Sequence, residues 1–218
     1  MKHFKTSQRC VLTVDFMSAT LWFMLAAGAV SNAGAQSLAF AQMEFSKDTG
    51  SVVLVGTLAS ASEPKTLVSA TATGWSSGET FGVAVVPRWS LVSGDPGWTV
   101  GLGLGADRWR SRDEFSPRQE SGLSLRAQSE WQGPMPGGRY YALLQASSFR
   151  QSGFATFQYS LASLPLGAEL SHYSETEYRA STVVLRLQLG GSPWFLRAGT
   201  TWTDGRTLGL VGITYNGF

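Results

Sequence analysis

From Ser37 onward, apolar and polar residues alternate with a period of two, in one short stretch after another. In residues 194–203, Trp194, Leu196, Ala198, Thr200 and Trp202 alternate with Phe195, Arg197, Gly199, Thr201 and Thr203. Residues 182–190 set Val183, Leu185, Leu187 and Leu189 against Thr182, Arg186, Gln188 and Gly190. Trp98, Val100, Leu102 and Leu104 alternate with Thr99, Gly101, Gly103, Gly105 and Asp107. Leu123, Leu125, Ala127 and Trp131 alternate in the same way with Ser124, Arg126, Gln128 and Glu130. Period two is the signature of a β-strand with one oily and one polar face.

Turn residues separate about twelve such stretches, among them Lys47-Asp48-Thr49-Gly50, Ser93-Gly94-Asp95-Pro96-Gly97, residues 133–138, Gly191-Ser192-Pro193 and Asp204-Gly205. Each strand with its turn takes roughly 15 residues, which suits membrane strands of about 9–11 residues joined by short connections. The segments 154–162 and 166–174 lie very close together and the first stretch is weakly patterned, so ten strands remain an alternative. No segment after residue 35 carries a helical period.

Alternation alone does not separate a membrane barrel from a soluble sandwich, because both bury one face of each strand. Composition separates them. After residue 35 the only lysines are Lys47 and Lys65, whereas a soluble sandwich has a Lys/Glu-rich exterior. Tryptophans cluster at strand ends, and the polar faces are rich in Gly, Ser, Gln and isolated Arg or Glu. Trp194 and Trp202 stand roughly 20 Å apart along the membrane normal for a strand tilted near 40°, close to the spacing of two aromatic girdles.

The two ends of the chain agree with this reading. Residues 1–35 carry Lys2, Lys5 and Arg9, a 15-residue apolar run over 16–30 (FMSATLWFMLAAGAV), and Ala33-Gly34-Ala35. That is the three-part plan of a secretory signal, and the run is shorter than the ~20 residues a membrane helix needs. At the other end, residues 207–218 (TLGLVGITYNGF) form an amphipathic strand closing on Phe218. A terminal aromatic on a final strand resembles the assembly signal of bacterial outer-membrane barrels. The expected organisation is therefore a signal peptide over 1–35 and, over 36–218, an all-β closed antiparallel transmembrane barrel of about twelve strands. Phe218 is out of phase with Val211, Ile213 and Tyr215, which predicts a bulge or kink around Asn216-Gly217.

Residues 1–35 contain Lys2, Lys5, Arg9 and Asp15, so without them the 17 basic and 15 acidic residues become 14 of each. A neutral chain with no basic cluster is not expected to bind nucleic acid. Cys10 is the only cysteine and lies in the leader, and His172 is the only later histidine, so no metal site is expected. Gly101, Gly103 and Gly105 lie within a strand pattern with no helix after them, which excludes a phosphate loop. No cofactor and no catalytic residue are expected.

Chemistry concentrates on the inward face. Arg88, Asp107, Arg126, Glu130, Glu169, Arg186 and Arg197 all fall on it and are the lumen-lining candidates. They pair with one another to fill the lumen, or else Arg126, Arg186 and Arg197 among them line a passage or contact an anionic glycan or lipid headgroup. Aromatic residues such as Tyr141, Phe149, Tyr173 and Phe195 are candidates for stacking on sugar faces.

Two resemblances refine the functional expectation. Tyr140-Tyr141, the stretch 154–159, Gly167-Ala168-Glu169, the acidic turn 175–179 and Arg197-Ala198-Gly199 ahead of Asp204 follow an order similar to the BcsS family. These are outer-membrane proteins encoded with bacterial cellulose synthesis. The resemblance implies a non-enzymatic outer-membrane barrel assisting cellulose or exopolysaccharide production or export. His172 and Ser174 resemble the His-x-Ser element of the outer-membrane lipid A 3-O-deacylases, which implies a lipid-modifying barrel enzyme as an alternative. A small-solute pore is a third reading. Expected partners are outer-membrane lipid, the barrel-assembly machinery through the strand ending in Phe218, and a polysaccharide or its export complex.

Overall fold

A computed structural model describes residues 35–47, 49–58, 64–75, 78–111, 117–203 and 205–216. Twelve antiparallel strands account for nearly all of them: β1 (Ala35–Ser46), β2 (Thr49–Leu58), β3 (Lys65–Trp75), β4 (Gly78–Val92), β5 (Gly97–Ser111), β6 (Gln119–Met135), β7 (Gly138–Ser147), β8 (Ser152–Leu161), β9 (Leu166–Glu175), β10 (Tyr178–Gln188), β11 (Trp194–Thr203) and β12 (Arg206–Asn216). The one other element among the described residues is a 3₁₀ turn, Phe149–Gln151.

Each strand pairs with its sequence neighbours, and β1 pairs with β12 from Phe40↔Asn216 to Ser46↔Leu210, which closes the barrel. Closure follows from the solvent. Lipid offers the backbone no hydrogen bonds, so no strand edge is left open within it. Twelve strands rather than ten are present because β8 and β9 are separate strands, joined by the short 162–165 turn, and because the weakly patterned first stretch is itself a strand, β1.

The two faces of the wall divide as the alternation predicts. Leu102, Leu104, Leu123, Leu125, Leu170, Leu185, Leu196 and Val211 point outward and are exposed, Leu123 at 84% and Leu185 at 69%. Exposed leucine at this density is a surface for hydrocarbon, not for water. On β1 and β2 the outward residues Ala41, Val52 and Leu54 pack together, with Met43 and Tyr215 beside them.

Aromatic side chains mark the end at which β1 begins and β12 ends. Trp98 stacks on Trp131 at 6.2 Å, Tyr140 on Phe157 at 6.4 Å, and Trp194 meets Tyr215 edge-on at 5.1 Å. Trp98 also donates its indole N–H to Ser129 Oγ at 2.8 Å, an apolar body with one polar handle. Trp202, eight residues along β11, lies at the opposite end. At the same end Trp109 breaks the pattern by facing inward, and it is buried.

The bulge expected near the C-terminus is absent as far as Asn216. β12 pairs without a register shift to β1 and to β11, while Gly217 and Phe218 lie outside the described residues. Shifts occur instead at Ala35/Ser37 and Leu38/Phe40 between β1 and β2, and at Ser90/Val92 between β4 and β5. The leader expected over 1–35 also lies, except for Ala35, outside the described residues.

Candidate functional site

The inward faces build two charged networks on different arcs of the wall. On the arc that runs from β8 through β12 to β1, Arg197 on β11 ion-pairs with Glu44 on β1 and, at 2.6 Å, with Glu169 on β9. Glu169 Oε2 accepts from Gln158 Nε2 at 3.2 Å, and the Gln158 carbonyl oxygen accepts from Arg186 on β10. Arg186 lies over the Phe195 ring, 4.5 Å from its centroid. Arg186, Arg197 and Glu169 are 2%, 3% and 6% exposed, so this arc is packed solid.

The facing arc, β4 to β7, holds two more pairs. Arg88 Nη1 contacts both oxygens of Glu130 at 2.9 and 3.1 Å, and Gln128 Nε2 donates to Glu130 Oε1 at 2.8 Å. Nearer the other end, Arg126 ion-pairs with Asp107, and Ser124 donates to Asp107 Oδ2 at 2.6 Å. A hydrogen-bonded ion pair tolerates removal from water far better than a lone charge, which is why these groups sit inside at all.

All seven lumen-lining candidates face inward, and the structure sorts them into three sets: Arg88 with Glu130, Asp107 with Arg126, and Glu169 with Arg197 and, through Gln158, Arg186. Glu44 was missed from the sequence, although Gln42 and Glu44 alternate with Ala41, Met43 and Phe45 in the weakly patterned first strand. The glycines resolve into spacers. A Cβ on Gly82 would lie 2.5 Å from Asp107 Oδ1, and one on Gly105 would lie 2.7 Å from Ser124 Oγ and 2.8 Å from Arg126 Nε. Their missing side chains seat the Asp107–Arg126 pair.

Between the arcs the lumen has room. Twelve strands spaced ~4.8 Å and tilted near 40° enclose a cylinder roughly 24 Å across between backbones, wider than an eight-stranded barrel that side chains fill. Thr71 on β3 and Gln145 on β7 point inward and are nevertheless exposed. Their inward direction is fixed by contact: Thr71 Oγ1 lies on the lumen side of Gly82, and Gln145 Nε2 reaches Gln128 Oε1 at 3.4 Å. Tyr141 and Phe195, two of the sugar-stacking candidates, also face inward, Tyr141 opposite Gln132 and Phe195 under Arg186. Tyr173 donates to Glu175 at 2.9 Å, and Phe149 lies in the 3₁₀ turn.

At the mouth opposite the start of β1 and the end of β12, Arg150 folds inward from that turn. Its φ is 50° and that of Gln151 is 48°, left-handed values that L side chains rarely adopt. The side chain is 5% exposed, with its guanidinium 4.0 Å over the Trp109 ring and within 3.0, 3.6 and 3.4 Å of Glu120, Glu175 and Glu177. Burial works against its charge, but Glu175 and Glu120 outweigh it and hold its pKa above the ordinary arginine value. The period-two pattern gives no sign of this residue, because its direction is set by a turn.

His172 and Ser174 both lie outward on β9. His172 Nδ1 is 2.9 Å from Ser181 Oγ on β10, so its hydrogen bond crosses strands and does not go to Ser174. Among the described residues no group of acidic or histidine side chains could hold a metal ion.

An antiparallel membrane barrel of twelve strands with a polar, partly open interior is the class that this fold and site define. The fold is similar to that of KdgM porin, at 12% identity over 82% of this chain and 98% of that one, with a TM-score of 0.50. Two further solved structures are KdgM porin in complex with disordered oligogalacturonate (13% identity, 82% and 98% covered, TM-score 0.49) and the Acinetobacter baumannii outer membrane protein Omp33 (10%, 84% and 99%, 0.48). No family model and no curated protein matches the sequence.

Proposed function

We propose that the chain is a narrow, non-enzymatic diffusion channel of the bacterial outer membrane, passing small polar solutes between two wall-bound charge networks. The observation that carries this reading is the placement of Thr71 and Gln145, which face inward and are open to solvent while the charges pair along the wall. If the charged groups were there only to plug the barrel, pairs would bridge the facing arcs; among the described residues the Glu44–Arg197–Glu169 network and the Arg88–Glu130 and Asp107–Arg126 pairs each stay within one arc. The apolar outward belt and aromatic girdle support placement in a membrane, and the signal-like leader and the final strand support the outer one, with assembly through that strand. Reconstitution into planar bilayers tests the channel: discrete conductance steps are expected, and a flat trace at several hundred millivolts sinks the reading.

A second reading, assistance to cellulose or exopolysaccharide export, is favoured by the ordered features across residues 140–218. Deleting the protein and quantifying surface glucan tests it, and normal glucan counts against it.

A further inference from the structure

The outward face of β9–β12 changes character from one end to the other. Beyond the Trp194–Tyr215 contact, cross-strand pairs run Leu166 with Leu187, Ala168 with Leu185 and Leu170 with Val183, all small or apolar. The next row is polar: His172 opposite Ser181, Ser181 opposite Trp202, and Trp202 opposite Thr207. Beyond it Ser174 faces Arg179. Trp202 stands roughly 20 Å from Trp194 along the normal, so this row meets the headgroup layer.

Two shallow depressions open to solvent lie there, of about 460 and 370 Å³, and they share Arg179. The first is lined by His172 and Ser174, the second by Ser181, Trp202 and Arg206. Other arginines at this end are spoken for: Arg108 donates to Gln119, Arg110 lies 4.0 Å from Glu79, and Arg118 lies 3.6 Å from Glu177. Glu175, which also lines the first depression, is engaged by Arg150 and Tyr173. Arg179 and Arg206 are exposed and have no ion pair among the described residues.

We propose that this face binds a lipid through its phosphorylated headgroup. Arg179, on the outward face opposite Ser174, and Arg206, at the rim where β12 begins and lining the second depression with Trp202, supply the charge, and Ser174 and the His172–Ser181 pair supply hydrogen bonds beside an interfacial tryptophan. Acyl chains would lie along the apolar rows below, which puts anion and hydrocarbon recognition in register on one surface. The site is centred on the outward residues Arg179, Ser181 and Trp202 and touches the inward face only at the rim, through Thr203 and Arg206, so it rests on the outer-membrane placement and not on conduction.

The test is native mass spectrometry of the full-length barrel released from detergent, offered bisphosphorylated lipid A or the same lipid with its phosphates removed. Wild type is expected to retain the phosphorylated lipid about tenfold better than the Arg179→Gln/Arg206→Gln double variant. Retention is expected to return with Arg179→Lys/Arg206→Lys and to be unchanged in Arg110→Gln. Equal retention by wild type and the glutamine variant overturns the proposal, as does equal retention of the two lipids by wild type. Circular dichroism confirms that each variant is a folded barrel, and an unchanged single-channel conductance separates this result from the fate of the channel reading.

Discussion

At Gly82 a methyl group would meet Asp107 Oδ1 at 2.5 Å and Thr71 Oγ1 at 3.2 Å, so the residue is small because its neighbour's carboxylate occupies the space. Gly74, two strand positions before the β3–β4 turn region, has nothing within 4 Å of the same added atom. The two glycines look alike in sequence and differ in what alanine would cost. Gly82→Ala is expected to push Asp107 away from Arg126 and to destabilise the barrel by about 1–3 kcal/mol, the range for overpacking. Gly74→Ala stays within about 0.5 kcal/mol, as for a surface change. Urea unfolding of both variants in lipid vesicles, followed by tryptophan fluorescence, measures the difference. Equal midpoints for the two would show that Gly82 does not seat the pair.

Among the elements, the Phe149–Gln151 turn is the least regular and bears most directly on passage. Arg150 holds a left-handed backbone at a cost of about 1–2 kcal/mol for a non-glycine residue, and its side chain stands over Trp109 in the mouth. Arg150→Ala is expected to raise single-channel conductance, because it removes the group that narrows the opening. Arg150→Gly should raise it equally while relieving the backbone cost, which separates the side chain's effect from that of turn rearrangement. Conductance unchanged in both would place Arg150 off the solute path. This turn also shows what sequence pattern reaches. The faces of β10 and β11 were legible because Leu185 and Leu187 alternate with Arg186 and Gln188, and Trp194, Leu196 and Ala198 with Phe195, Arg197 and Gly199, even though Val184 puts one apolar side chain on the inward face. The inward aim of Arg150 was not, since two left-handed residues interrupt the alternation. Glu44 escaped for a different reason: its partner Arg197 is reached across the β1–β12 seam, a contact between chain ends that local periodicity does not encode.

Over the whole molecule, charge balance sets what a passage would discriminate. The wall networks hold four carboxylates, Glu44, Asp107, Glu130 and Glu169, against four guanidiniums, Arg88, Arg126, Arg186 and Arg197. Arg186 and Arg197 are too buried to meet a solute, whereas Arg88 and Glu130 are 10% and 13% exposed at the side chain and Arg126 is 27% exposed. A balanced lumen should choose weakly between cations and anions, because each accessible charge is cancelled by a neighbour within hydrogen-bond distance. Glu130→Gln removes one negative charge, keeps the shape and a hydrogen-bond acceptor for Arg88, and leaves that guanidinium uncompensated. In a tenfold potassium chloride gradient, wild type is expected to reverse near zero millivolts. The variant's reversal potential should move toward the chloride equilibrium value, and the shift should shrink at molar salt, where the screening length falls to about 3 Å. If the potential does not move at any salt concentration, ions do not pass between these walls, and the charged arcs serve only to hold the barrel together.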